Sequence, residues 1–222
     1  MKRIYVLMIL IVVLVVTSCT AKFVCPDGST VSQQELCPAV EKHPQLSAEI
    51  QDFLLKSSKV DGMYYKYKRV DKPTEGVIDV WVKGKYVKQE LNVQTQVLNK
   101  NQMDVIIFDT ENRTAQAYCE SKTYCIKTGN IGAVNFDQYY LKTPLDWVKE
   151  LTAAEKISEA IIENRNVWQL KTETGSLWVD TYFGVPLRVD AGAERHEFQN
   201  IVFNSVADGD VHFAEKKDDM SY

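Results

Sequence analysis

The alternation of apolar and polar residues divides the chain into a short helix, a block of strands, a second helix and a second block of strands. In residues 45–58, QLSAEIQDFLLKSS, Leu46, Ile50, Phe53 and Leu54 recur at i, i+4, i+7 and i+8, which forms one apolar stripe on a helix. Asp61-Gly62 ends it. From there the period is two. GMYYKYKRV, EGVIDVWVKG and KYVKQELNV read as strands, the last two folded as a hairpin across Gly84-Lys85. DVIIFD and TAQAYC follow, joined by Thr110-Glu111-Asn112-Arg113. A polar stretch holding Gly129 and Gly132 leads to the second helix, at about 144–152. Thr143 is its expected N-cap, Pro144 suits its first position, and Asp146 complements its positive terminus. Leu145, Val148 and Leu151 would be its apolar face. EKISEAIIEN, NVWQLKTE, SLWVDTYF, VPLRVDA and RHEFQNIVF complete the strands, and the charged tail AEKKDDMSY is expected to be disordered.

The N-terminus has a different pattern. Lys2 and Arg3 precede an apolar run of 13 residues, Ile4 to Val16. A spanning helix needs about 20 apolar residues, whereas a run of this length suits the core of a secretory signal. Val16-Thr17-Ser18-Cys19 then resembles the lipobox of prokaryotic lipoproteins. That resemblance implies cleavage after residue 18 and a diacylglycerol thioether on Cys19, two acyl chains being enough for stable anchoring. The alternative is an uncleaved signal anchor. Both place the rest of the chain outside the cytoplasm, at the outer face of the cell membrane.

With Cys19 as the anchor, Cys25, Cys37, Cys119 and Cys125 remain, an even number suited to an oxidising compartment. Four cysteines allow three pairings. The local one, Cys25–Cys37 with Cys119–Cys125, is expected. In the second pair, a hairpin turning at Ser121-Lys122-Thr123 sets Cys119 opposite Cys125. The spacings are not those of a zinc site, so no metal is expected.

Composition narrows the function classes. The chain has 222 residues and a net charge of −4, and removing residues 1–18 takes away Lys2 and Arg3 and no acid, leaving −6. A basic stripe for nucleic acid is absent, and anionic headgroups would repel the exported part overall. The three histidines, His43, His196 and His212, come with no G-x-S-x-G, H-E-x-x-H or phosphate-loop motif. No catalytic residue, enzyme activity or cofactor is therefore expected. Asp79 and Asp180, each near a strand tryptophan, read as solvent-facing. Lys83-Gly84-Lys85, with Lys88 following, reads as a solvated hairpin tip. Asn112-Arg113-Thr114 is an N-glycosylation sequon in a predicted turn, which makes Asn112 a candidate for modification.

The C-terminal third carries a family resemblance. Leu177-Trp178-Val179-Asp180, then Gly184-Val185-Pro186-Leu187-Arg188-Val189, then Phe198-Gln199-Asn200-Ile201 and Asp208-Gly209-Asp210-Val211-His212-Phe213 are similar to short motifs of the LolA-like lipoprotein carriers. The match covers about 150–213, and 46–145 only in the order of elements. It implies an α+β fold with a single strongly curved antiparallel sheet, an incomplete β-barrel with helices packed on its concave side. In that family an apolar ligand lies between sheet and helices. By this resemblance the candidate lining is Tyr65, Tyr67, Trp81, Phe108, Trp147, Trp178, Phe183 and Phe203, drawn from a larger aromatic set that includes Trp168 and Phe198. Alternation tells which of these share a face, not which face is concave.

The expected organisation is a signal peptide at 1–18, a tether with a small disulfide loop at 19–44, a LolA-like domain at 45–213 and a disordered tail at 214–222. The anchor and the disulfides depart from the family pattern and speak against a soluble shuttle. A membrane-anchored, non-catalytic protein that binds a lipid or acyl chain is the first functional reading. A cell-surface structural or protein-interaction domain with a filled core, its partner unnamed, is the second.

Overall fold

The computed structural model describes residues 22–25, 30–32, 46–91, 96–98, 101–120 and 129–213. The chain divides into two compact units, 1–43 and 44–222. The signal segment with Cys19, the residues Cys37 and Cys125, and the tail at 214–222 lie outside the described residues.

In the first unit, β1 (Phe23–Val24) pairs antiparallel with β2 (Thr30–Val31). Cys25 follows β1 and is buried and disulfide-bonded.

The second unit begins with α1 (Ala48–Leu54), capped by the Ser47 hydroxyl, which accepts from the Ile50 amide at 3.3 Å. It buries Ile50, Phe53 and Leu54, and a 3₁₀ segment continues it through Leu55–Lys59. The first block of strands is β3 (Gly62–Arg69), β4 (Val77–Lys83), β5 (Tyr86–Leu91), β6 (Gln96–Leu98), β7 (Asn101–Met103), β8 (Val105–Asp109), β9 (Thr114–Cys119) and β10 (Gly129–Val134). Two short helices follow, α2 (Phe136–Tyr139) and α3 (Pro144–Lys149). The second block is β11 (Glu155–Ile162), β12 (Arg165–Lys171), β13 (Gly175–Asp180), β14 (Pro186–Ala191) and β15 (Glu194–Phe203).

Eleven strands form one antiparallel sheet in the order β10-β9-β8-β5-β4-β3-β15-β14-β13-β12-β11, while β6 and β7 pair separately. The sheet is two meanders joined where β15 pairs with β3, with Phe198 opposite Tyr67 and Phe203 opposite Met63. The sheet is open, and it is curved. Helical residues touch strands far apart in it: Phe136 lies 5.5 Å from Phe108 on β8, and Phe53 lies 4.2 Å from Trp168 on β12. Flat, those two strands would stand about 34 Å apart at ~4.8 Å per strand. A seven-residue helix spans only ~10 Å. Phe53, Phe108 and Phe136 nevertheless belong to one core cluster, with Trp168 packed against it, so the sheet wraps around its helices.

The period-two pattern sets the faces. Met63, Tyr65 and Tyr67 pair with Val82, Val80 and Ile78, which pair with Val87, Gln89 and Leu91. These positions face the helices. The alternating positions Tyr64, Trp81 and Lys88 lie on the other face. Part of that face is covered by the C-terminal segment, where Phe213 stacks on Tyr118 at 4.4 Å and His212 meets Tyr86 at 4.7 Å. The cover accounts for the burial of Val105 and Val211 there.

Several local expectations need correction. The polar stretch before the second helix contains strand β10, bulged between Asn130 and Gly132, followed by α2 with Asn135 as its N-cap. Both glycines of β10 have positive φ, and glycine's low strand preference masked the strand. Because the return strand starts at Gly129, that residue stands opposite Cys119, in the place expected for Cys125. Cys119 itself is buried and disulfide-bonded. Asp79 and Asp180 are buried, not solvent-facing. Asp79 accepts from the Tyr64 hydroxyl and pairs with Lys66 at 3.1 Å. Asp180 accepts from the amides of Tyr182 and Phe183 at 2.9 and 2.7 Å and lies 3.5 Å from Arg165. Each carboxylate is buried because it has partners there. The basic hairpin tip is likewise paired: Lys83 meets Asp61, Lys85 meets Asp109 and Glu111, and Lys88 meets Glu120.

Candidate functional site

The helix-facing side of the sheet is where the aromatic residues converge. Tyr65 and Phe198 meet edge to face at 5.4 Å across the β3–β15 seam, and Tyr67 lies 6.0 Å from Phe198. Phe108 contacts Tyr140 at 5.3 Å as well as Phe136, and those two rings stack at 4.6 Å. Tyr65, Phe108 and Phe198 are each at most 1% exposed.

The segment over this face is held by two polar devices. The Thr143 hydroxyl accepts from the Asp146 amide at 3.3 Å, and the Asp146 carboxylate accepts from the Thr143 amide at 2.8 Å, a reciprocal cap on α3. The same carboxylate accepts from the Tyr140 hydroxyl at 2.6 Å. Burial first, then this hydrogen bond, pushes the Tyr140 phenol far above its ordinary range. On β5, Gln89 is 1% exposed. Its two amide ends are assigned from the backbone groups beside them: the nitrogen faces the Tyr139 carbonyl, to which it donates, and the oxygen faces the Leu141 amide, from which it accepts, both at 3.2 Å.

A second polar group lies where α3 meets the seam. The Tyr67 hydroxyl is 2.8 Å from Nδ1 of His196, and the imidazole centre is 5.4 Å from that of Trp147. Burial, and after it the Arg69 guanidinium, lowers the His196 pKa from its usual value. Tyr65 is shifted far upward, mainly by burial.

The expected lining residues therefore divide. Tyr65, Tyr67, Phe108 and Trp147 come together on the helix-facing side. Phe203 shares that side through its pairing with Met63, and it stacks on Phe183 at 3.9 Å at the end of the sheet. Trp81 and Trp178 fall on the opposite face by register, under Lys88 at 5.5 Å and Arg188 at 4.1 Å. Phe136, Tyr140, Gln89 and His196 were absent from the expected lining. Gln89 was legible as the middle of the alternating triplet Val87-x-Gln89-x-Leu91, whereas the other three depend on contacts distant in sequence.

No protein-family model matches this sequence, and no curated protein matches it. Among solved structures, the chain is similar to the crystal structure of LprF from Mycobacterium bovis. The identity is 11% and the TM-score 0.45, over 73% of this chain and 96% of that one.

The fold class stands on the sheet itself. Its antiparallel pairing, curvature and helix cover are those that the expected α+β fold calls for. Among the described residues, no group of three or more His, Cys, Asp or Glu side chains is placed to hold a metal, and no helix is long and apolar enough to cross a membrane. Asn112 is exposed in the turn after β8, with its side-chain nitrogen donating to Asp109 at 2.9 Å.

Proposed function

We propose that this protein is a non-catalytic binder of an acyl chain or similarly apolar ligand, held at the outer face of the cell membrane by a lipid on Cys19. The observation that supports ligand binding is the imbalance between sheet and cover. Among the described residues, eleven strands curve around three helices of seven, four and six residues, and the enclosed face is lined by aromatic rings from β3, β8 and β15. A concave apolar face under a thin cover is the usual setting for an apolar ligand. The lipobox-like Val16-Thr17-Ser18-Cys19 supports the anchor, and the local pairing Cys25–Cys37 with Cys119–Cys125 is proposed with it.

A second reading has its own support. The near-complete burial of Tyr65, Phe108 and Phe198 in ring-to-ring contact suits a filled core, on which the domain would serve as a surface structure or a protein-binding platform. One experiment separates them. The full chain is purified from membranes in mild detergent, its bound lipids are identified by mass spectrometry, and uptake of the fluorescent fatty acid cis-parinaric acid is titrated. Retained acyl lipid and saturable uptake support the binder. Neither result leaves the filled-core reading. The intact mass decides the anchor: a chain retaining Met1 with an unmodified Cys19 overturns it.

A further inference from the structure

Two buried ring nitrogens on the helix-facing side have no hydrogen-bond partner among the described residues: Nε1 of Trp147 and Nε2 of His196. An indole nitrogen is a donor only. The surroundings also place the His196 proton on Nε2. Nδ1 has the Tyr67 hydroxyl at 2.8 Å to donate to it, while the Glu194 carboxylate stands 3.4 Å from Nε2 and favours a proton there. That carboxylate is near enough to attract the proton but is not aligned to accept a full hydrogen bond from Nε2. Both nitrogens are therefore donors in need of an acceptor. Interiors rarely leave such groups unmet, because the desolvation cost goes unrelieved.

Their placement is specific. His196 is 8% exposed, and the two ring centres are 5.4 Å apart. Tyr67, bonded to His196, borders Phe198 and through it the aromatic interior. On the outer side, the Lys142 ammonium sits 4.8 Å from the centre of the half-buried Trp147 ring. The pair thus stands between solvent and the apolar interior, where the polar end of an amphipathic ligand belongs.

We propose that Trp147 and His196 form a headgroup subsite that donates to the carbonyl oxygen of an acyl ligand whose chain lies along the aromatic interior. This rests on the apolar-ligand reading above. An ester carbonyl and a free carboxylate share the required acceptor chemistry.

The test titrates the full chain with three fluorescent probes: cis-parinaric acid, its methyl ester, and diphenylhexatriene, a hydrocarbon with no acceptor. Trp147→Phe keeps a ring and removes the N–H, and His196→Phe does the same. Each is expected to weaken binding of an acyl probe about tenfold, the scale of one buried hydrogen bond, and to leave diphenylhexatriene binding within about twofold. His196→Gln, which keeps a donor, should restore most of the loss. Equal weakening of acid and ester assigns the subsite to the acyl carbonyl, and weakening of the acid alone to a free carboxylate. Acyl binding unchanged in both phenylalanine variants overturns the subsite while the apolar-ligand reading stands. Equal loss for all three probes also overturns it, as a packing effect. Wild-type protein that takes up none of the probes overturns both. If His196→Phe fails to fold, Trp147→Phe carries the comparison alone.

Discussion

The Tyr67 hydroxyl and Nδ1 of His196 lie 2.8 Å apart across the β3–β15 seam, joining residues 129 positions apart in the chain. This contact lets a buried imidazole remain neutral. Burial, then Arg69, holds its pKa below the ordinary 6.5, and the opposing pull of Glu194 and Asp71 does not reverse the shift. In the unfolded chain His196 takes a proton near 6.5, and in the folded chain only at lower pH. Its contribution is therefore complete above about 6.5 and is lost as pH falls through that value towards the folded one. Thermal midpoints measured from about pH 8 down to about pH 5 should decline for the wild type and decline less for His196→Gln. Parallel curves for the two proteins would refute this.

The stack of Phe53 on Trp168, with ring centres 4.2 Å apart, fastens α1 to β12. Lys56 adds a hydrogen bond to the Thr181 carbonyl at 2.8 Å, from the 3₁₀ turn that follows. Phe53 is almost fully buried. Phe53→Ala should cost about 3–4 kcal/mol through lost transfer energy and the cavity left behind. Phe53→Leu should cost roughly half of that. Denaturant titration with unchanged slope would measure both, and a loss below ~1 kcal/mol for the alanine variant would mean that α1 contributes little to the core.

Turns and faces were largely legible in the sequence, and long-range partners were not. Gly84-Lys85 lies between two strands whose alternation is clear, and the hairpin forms there. The face of Trp81 was open to the same reasoning, since Asp79 and Lys83 share its side of β4 while Val80 and Val82 share the other. The charged neighbours on that side put Trp81 away from the lining. Burial of Asp79 and Asp180 depends instead on Tyr64, Lys66 and Arg165, which reach them only once strands are registered. The Tyr67–His196–Trp147 group draws on β3, β15 and α3, and no local pattern marks such a junction. Strand β10 is not legible from its sequence, because two glycines within six residues give no alternating pattern.

Gly184 makes the turn between β13 and β14 possible. Its φ is +66°, and a Cβ there would stand 2.7 Å from the Phe53 carbonyl oxygen. Both the left-handed backbone and the close approach to α1 exclude a side chain. Gly184→Ala should therefore destabilise by about 2 kcal/mol or more, with melting temperature as the readout. The exposed Gly192, also left-handed at +60° but with open space around it, is the control. Gly192→Ala should cost only the backbone term, about 1 kcal/mol. Equal losses at both positions would show that the contact with α1 is unimportant.

Gln89 is the only polar residue of the alternating row Val87, Gln89, Leu91, and it bonds the segment that joins the two halves of the sheet. Its nitrogen serves the Tyr139 carbonyl and its oxygen the Leu141 amide. Gln89→Leu would fill similar volume and leave both backbone groups without their partner. Each unmet group costs about 1–3 kcal/mol, offset in part by the apolar gain of leucine, so a net loss of about 2 kcal/mol is expected. The loss should also be local. Hydrogen exchange at the Leu141 amide should accelerate by more than the global destabilisation accounts for, while the amides of β13 and β14 follow the global change. Gln89→Glu separates the two bonds. A carboxylate still accepts from Leu141 but only repels the Tyr139 carbonyl, so this variant should be most disturbed at neutral pH and recover as acid protonates the introduced carboxylate. Exchange at Leu141 that tracks the global rate in both variants would show that α2 and α3 are held without help from Gln89.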